Sequence, residues 1–260
     1  MFSLSGKRAI VTGATGHLGL QIAQTLAEAG AHVLVNGRDA ERVHALVEQL
    51  SIRKLSAEAA VFDVTDATAV EAYFATRPVE PLHVIINNAY SGSAGNVERS
   101  GEESYRTSFE ISVVAVQHLF RRSLGRLRAA VAADGLASVI NIASMYATVS
   151  PDQRIYDSGE SANPPFYGAA KAALLQWTRY AACEFGKEGI RINAISPGPF
   201  PSGRVARENP AFVARLADRV PMGRVGRAEE ISGPVLFLAT GAASYVNGTN
   251  LVVDGGWTSW

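Results

Sequence analysis

Apolar residues in this chain fall into short unbroken runs, separated by stretches in which they recur every third or fourth position. A short apolar run bounded by turn residues reads as a buried strand, and the wider spacing reads as one face of a helix. Residues 7–12 (Lys-Arg-Ala-Ile-Val-Thr) form the first such strand, and Leu18, Ile22 and Leu26 mark the face of a helix that Gly30 ends. The alternation then repeats. Further strands are predicted at 32–36, 59–62, 82–86, 138–142, 191–195 and 250–253. Helices are predicted at about 40–50, 67–75, 102–133, 210–220 and 228–239, with Gly101 as the place for a break before the long one. Another begins behind Asn163, read as its N-cap, with Pro164 as first helical residue, and continues through Phe185. Such regular alternation predicts an α/β fold built on one doubly wound, seven-stranded parallel sheet. No linker, repeat or shift in composition divides residues 1–260, so a single domain is expected.

In sheets of this kind ligands sit beyond the carboxyl ends of the strands. The polar and glycine residues of interest keep that phase. Gly13, Thr15, His17, Leu18 and Gly19 follow the first strand, Arg38 the second, and Asp63-Val64 the third. Asn88-Ala89 follow the fourth, Ser144 the fifth, and Pro197-Gly198 the sixth. A strand, a glycine-rich turn and a helix N-terminus bring backbone N–H groups against a pyrophosphate. The expected ligand of the first turn is therefore a nucleotide.

Composition narrows the class. The chain has 260 residues, 47% hydrophobic, enough for one large core. Lysine plus arginine balance aspartate plus glutamate at 24 each, so no nucleic-acid partner is expected. Cys183 is the only cysteine, which excludes a disulfide framework and reads as a buried, inert thiol. Residues 1–4 carry no signal-peptide pattern and no apolar run is long enough to span a bilayer, so a soluble, cytoplasmic protein is expected. No metal-ligand spacing appears.

Tyr167 and Lys171 stand one helical turn apart at the front of the 164–185 helix. That spacing puts phenol and ammonium on one face. A free phenol, with a pKa of about 10, is a poor proton carrier at neutral pH, and a fixed cation nearby lowers that value.

Together with the pieces around it, this pair makes the chain resemble the short-chain dehydrogenase/reductase family over essentially its whole length. The resemblance rests on Thr12-Gly13 with the glycine turn, Asp63, Asn87-Asn88-Ala89 and Asn141-Ile142-Ala143-Ser144. It rests equally on Tyr167-x-x-x-Lys171, Ser196-Pro197-Gly198 and Val253-Asp254-Gly255-Gly256. It implies that Tyr167 is the acid–base group, that Lys171 lowers its pKa and holds the cofactor ribose, and that Ser144 orients the substrate oxygen. Pro197, Gly198, Phe200 and Ser202 would lie along the nicotinamide, with Asp63 and Val64 at the adenine. The implied activity is NAD(P)-dependent interconversion of a secondary alcohol and a ketone, and the implied assembly is a homodimer or homotetramer.

Four departures bear on that picture. His17 takes the middle glycine position, and the spacing Gly13, Gly16, Gly19 resembles extended members that modify nucleotide sugars. Tyr90 replaces the glycine after Asn-Asn-Ala, and Ser112 replaces an asparagine of a proton relay. Residues 145–166, between Ser144 and Tyr167, are longer than usual and read as a substrate-site flap containing Tyr146, Arg154 and Tyr156. A nucleotide-sugar epimerase or dehydratase and a non-catalytic dinucleotide sensor remain alternatives to the oxidoreductase. Arg154, Tyr156 and residues 203–227 suggest a polar, sugar-like small-molecule substrate. At the end of the second strand, Gly37-Arg38 stands where NAD-preferring members carry an acid, so NADP is expected over NAD.

Overall fold

The computed structural model describes Met1–Trp260. Seven strands form one parallel sheet: β1 (Arg8–Val11), β2 (His32–Gly37), β3 (Ala57–Val61), β4 (Val84–Asn87), β5 (Ala137–Ile142), β6 (Ile190–Pro197) and β7 (Asn250–Val253). Their order is β3-β2-β1-β4-β5-β6-β7. Chain direction across the sheet therefore reverses between β1 and β4, and a crevice opens above their carboxyl ends.

Alternating side chains of the buried strands feed two cores. Ala9 and Val11 of β1 face a layer made with α1 (His17–Glu28), α2 (Ala40–Ile52) and α9 (Ser232–Ala239). Ile10, from the same strand, faces the opposite layer, made with α3 (Ala67–Ala75), α5 (Ala115–Asp134) and α6 (Pro165–Phe185). Strands β4, β5 and β6 are buried along their whole length, and β1 at all but its first residue, because helices cover both faces. Helix starts are set locally: the Asp39 carboxylate accepts the Arg42 N–H at 3.1 Å, and that of Asp66 accepts the Ala69 N–H at 3.0 Å.

Three expectations need correction. Asn163 is not the cap of α6: Pro164 is, in an extended conformation, and Pro165 opens the helix. Each residue before a proline is kept out of the helical region, so Asn163-Pro164 stay extended and the helix starts one residue later. The long helical region is interrupted not at Gly101, which caps α4 (Glu102–Phe109), but at a π-helical turn, Glu110–Val114. Cys183 is exposed rather than buried, because Ala181 and Ala182 take the inward face of that turn of α6.

Candidate active site

The glycine turn is clamped to β4. The Thr12 hydroxyl accepts the N–H groups of Asn88 and Ala89 at 2.9 and 3.1 Å, and donates to the Ile86 carbonyl at 3.2 Å. The Asn88 amide in turn donates to the carbonyls of Thr12 and Gly13. No side chain fits inside this clamp. A Cβ on Gly13, whose φ is +60°, would lie 2.9 Å from Ala89 Cα, and one on Gly19 would lie 2.1 Å from the Gly13 carbonyl oxygen. Gly16 precedes α1 without a side-chain cap, so the first-turn N–H groups have no partner within the helix. A dense backbone cradle at a helix N-terminus suits a pyrophosphate.

Above the cradle lies an open cleft of about 510 Å³. It gathers Gly13, Thr15, His17, Leu18, Gly19, Arg38, Asp63, Val64, Asn88, Ala89, Tyr167 and Lys171, all of them expected site residues. The residues present thus fit a dinucleotide laid from the glycine turn to Tyr167. At the outer end Arg38 is 72% exposed and pairs with Asp63 at 3.8 Å. Asp39 is occupied in capping α2. Burial alone would raise the Asp63 pKa, but the Thr65 N–H and hydroxyl and the Arg38 guanidinium outweigh it and hold the carboxyl below its ordinary value. Arg42 was not anticipated. It reaches back from the first turn of α2 to the Thr15 carbonyl at 2.6 Å and lines the same end of the cleft. Its place one turn after Arg38, behind an N-capping aspartate, was the available signal.

At the inner end the polar groups are buried. Lys171 is 3% exposed, donates to the Ile142 carbonyl at 2.7 Å, and has no carboxylate partner, so burial pushes its pKa down to about 8. Its ammonium stands 5.7 Å from the centre of the Tyr167 ring. Burial pushes the Tyr167 phenol up, the Ser144 hydroxyl draws it down, and Tyr90 adds to the rise. The net direction is upward, and Lys171, expected to lower the value, is not among the groups that shift it. Ser144 accepts the Tyr146 N–H at 3.1 Å, which anchors its hydroxyl beside the phenol. Behind Lys171 a cavity of about 10 Å³ is bordered by Thr12, Asn87 and Ser112. The Ser112 hydroxyl is buried there without a partner, carried by the π-helical turn.

Four expected residues do not line the cleft. Pro197 ends β6, and Gly198 packs so closely that a Cβ would meet Asp254 Cα at 2.6 Å. Phe200 lies over Gly226, and the Ser202 hydroxyl caps α7 (Gly203–Glu208) by accepting the Val205 N–H at 3.3 Å. Residues 145–166 fold into three 3₁₀ turns around a small core of Met145, Tyr146 and Ile155 with Leu216, Val220 and Trp257. Arg154, read as a substrate contact, instead forms a two-pronged pair with Asp152.

A dinucleotide cradle and a Ser-Tyr-Lys cluster on one cleft define a nicotinamide-dependent oxidoreductase. A family model described as Enoyl-(Acyl carrier protein) reductase matches residues 13–258. The chain belongs to the short-chain dehydrogenase/reductase family, and it is an NAD(P)-dependent oxidoreductase. It is 35% identical to gluconate 5-dehydrogenase of Gluconobacter oxydans (strain 621H), over 99% of this chain and 97% of that one. It is 34% identical to the L-tagatose-forming galactitol 2-dehydrogenase of Cereibacter sphaeroides, over 100% and 98%. Among solved structures, a gluconate 5-dehydrogenase from Burkholderia cenocepacia J2315 in complex with NADP and tartrate matches with a TM-score of 0.88 at 28% identity, covering 100% of this chain and 98% of that one.

Proposed function

We propose that the protein interconverts a secondary alcohol and a ketone on a polyol or sugar acid, with NADP preferred over NAD. The observation that carries this reading is the grouping of Ser144 beside the Tyr167 hydroxyl and of buried Lys171 near its ring, with Tyr167 and Lys171 on the wall of the cleft that holds the glycine turn. The nicotinamide cofactor supplies hydride transfer when bound. The chain's own residues handle position and protons. The Tyr167 phenol gives its proton to a ketone oxygen or, as phenolate, takes one from a hydroxyl, and Ser144 donates to that same oxygen and orients it. Lys171 uses one N–H on the Ile142 carbonyl, leaving two to hold ribose hydroxyls. Ser112 and Lys171 share a cavity just large enough for one water, through which a proton can pass between them.

The relatives named for gluconate and galactitol support a polyhydroxylated substrate, and the NADP-bound relative supports the cofactor preference, as do Arg38 and Arg42 at the outer end. Residues 145–166 serve as the substrate-side wall, since their core packs against Tyr167. We assign the protein to the cytoplasm, in keeping with its unpaired cysteine; no helix is long and apolar enough to cross a membrane. A homodimer or homotetramer is supported by a groove between α5 and α6 flanked by exposed Tyr180, with Val114 exposed nearby in sequence. Light scattering showing only monomer would refute that assembly.

The test is a panel of D-gluconate, galactitol and their ketone products with NADP(H) and NAD(H), followed at the nicotinamide absorbance. Net turnover with at least one pair, faster with the phosphorylated cofactor, is expected. Tight dinucleotide binding with no turnover across the panel would contradict the assignment.

A further inference from the structure

Tyr90 follows Asn88-Ala89 at the end of β4, at a position where the family resemblance places a glycine. A large aromatic ring there has to be accommodated, and the surroundings do so specifically. The Tyr90 and Tyr167 rings meet edge to face, with centres 4.8 Å apart and planes at 69°. That is a favoured arrangement for two aromatic quadrupoles. The Lys171 ammonium lies 5.3 Å from the centre of the Tyr90 ring, slightly nearer than it is to the Tyr167 ring. A cation at that distance is attracted to an aromatic face.

The far end of the ring is tied down. The Tyr90 hydroxyl stands 3.3 Å from the Ser108 hydroxyl, which donates to the Phe166 carbonyl at 3.2 Å. Phe166 immediately precedes Tyr167. A chain of two hydrogen bonds thus links Tyr90 to the backbone that carries the phenol. Gly92 crosses so near that a Cβ there would lie 2.7 Å from the Tyr90 hydroxyl oxygen, so the loop closes over it.

We propose that Tyr90 is a positioning residue that clamps Tyr167 and shelters the Tyr167–Lys171 pair from water. The clamp acts at both ends of Tyr167, through the ring contact and through the Ser108 tether. Sheltering has a direction. A ring that excludes water disfavours both the phenolate and the ammonium, the direction in which burial already holds the Tyr167 phenol above its ordinary value. Replacing it by glycine admits water and lowers the Tyr167 titration midpoint, while the loosened phenol reacts more slowly.

The inference rests on Tyr167 being the acid–base group, and the experiment separates the two. Tyr90→Gly, Tyr90→Phe, Ser108→Ala and Tyr167→Phe are compared with the parent, using D-gluconate and galactitol with NADP as probes. In parallel, the Tyr167 phenol is titrated by NMR of protein labelled at the tyrosine Cζ, its signal assigned by its loss in Tyr167→Phe. Tyr90→Phe keeps the ring contact but cuts the Ser108 tether, so its kcat should fall as far as that of Ser108→Ala and no further. Tyr90→Gly should lower kcat by about ten- to a hundredfold, with the KM for NADP little changed, and move the midpoint down. Ser108→Ala should lower kcat by about three- to tenfold at unchanged KM, and it carries the test if Tyr90→Gly does not fold. Parent-like kcat in Tyr90→Gly or Ser108→Ala overturns the proposal, as does a fall in kcat with no shift of the midpoint, which would be a purely structural effect. If neither probe is turned over, the midpoint decides alone. Should Tyr167→Phe remain active, it is the reading of the site that fails, not the clamp.

Discussion

The two ends of the cleft handle charge in opposite ways. At the outer end Arg38 is largely exposed, loosely paired with Asp63, and bathed by solvent that screens every contact it makes. At the inner end Lys171 is almost completely buried with one carbonyl for company, and Ser112 hides a hydroxyl that no protein group meets. Exposed pairs of the first kind add little to stability, so the outer end can be adapted to a cofactor phosphate at small cost. Buried, uncompensated groups of the second kind destabilise the fold. Their presence is understandable only if the chemistry needs them, and sequence changes there should therefore be felt far more strongly in rate than changes outside.

Tyr167→Phe sharpens the contrast most. Keeping the ring but removing the proton should cost about a thousandfold in kcat with NADPH affinity unchanged, as stopped-flow turnover and calorimetric binding can show. Arg38→Ala is the outer counterpart: fluorescence titration should find NADPH bound about tenfold more weakly, NADH nearly unaffected, and the difference shrinking with added salt. Equal weakening of both cofactors would mean that Arg38 does not read the additional phosphate. Glycine 37 is a poorer probe than its position suggests. A Cβ there would lie 2.9 Å from Val43 Cγ2, so Gly37→Asp strains the fold as well as altering charge. Ser112→Ala should have the smallest effect, a loss of about two- to fivefold in kcat with an altered pH profile, because it removes one hydroxyl from the small cavity behind Lys171. An unchanged rate and profile would take Ser112 out of the proton path.

The legibility of the sequence followed the same division. Short apolar runs and capping aspartates identify the strands and helices, because both are local signals. Positions after the first four strands foretold the cleft, since parallel topology brings those ends together, whereas Pro197 and Gly198 after the sixth do not line it. What local pattern could not convey was how a side chain settles once buried. Asn163 looked like a cap until two successive prolines pushed the helix start past it. Lys171 looked like the group that acidifies Tyr167, yet burial of both dominates and sends each pKa toward its neutral form. Arg154 looked free for substrate and is held by Asp152. Tyr90 registered as a departure from a family pattern, while its contact with the Tyr167 ring is a matter of three-dimensional packing.

Lys171→Met tests the comparison most directly, because it exchanges the buried ammonium for an apolar chain of similar length. The folded-state pKa of Lys171 is about 8 against an ordinary value of 10.5. A lysine depressed in this way penalises the fold below pH 8, and the penalty is relieved as pH rises through that interval. At pH 7 the variant should therefore be more stable than the parent by about 1–3 kcal/mol, seen as a higher Tm, while turnover and tight NADPH binding are lost. The parent's stability should also approach that of the variant as pH rises from about 8 toward 10.5. A variant that is inactive but less stable than the parent at pH 7 would contradict the account, because Lys171 would then be holding the fold together instead of straining it for the chemistry.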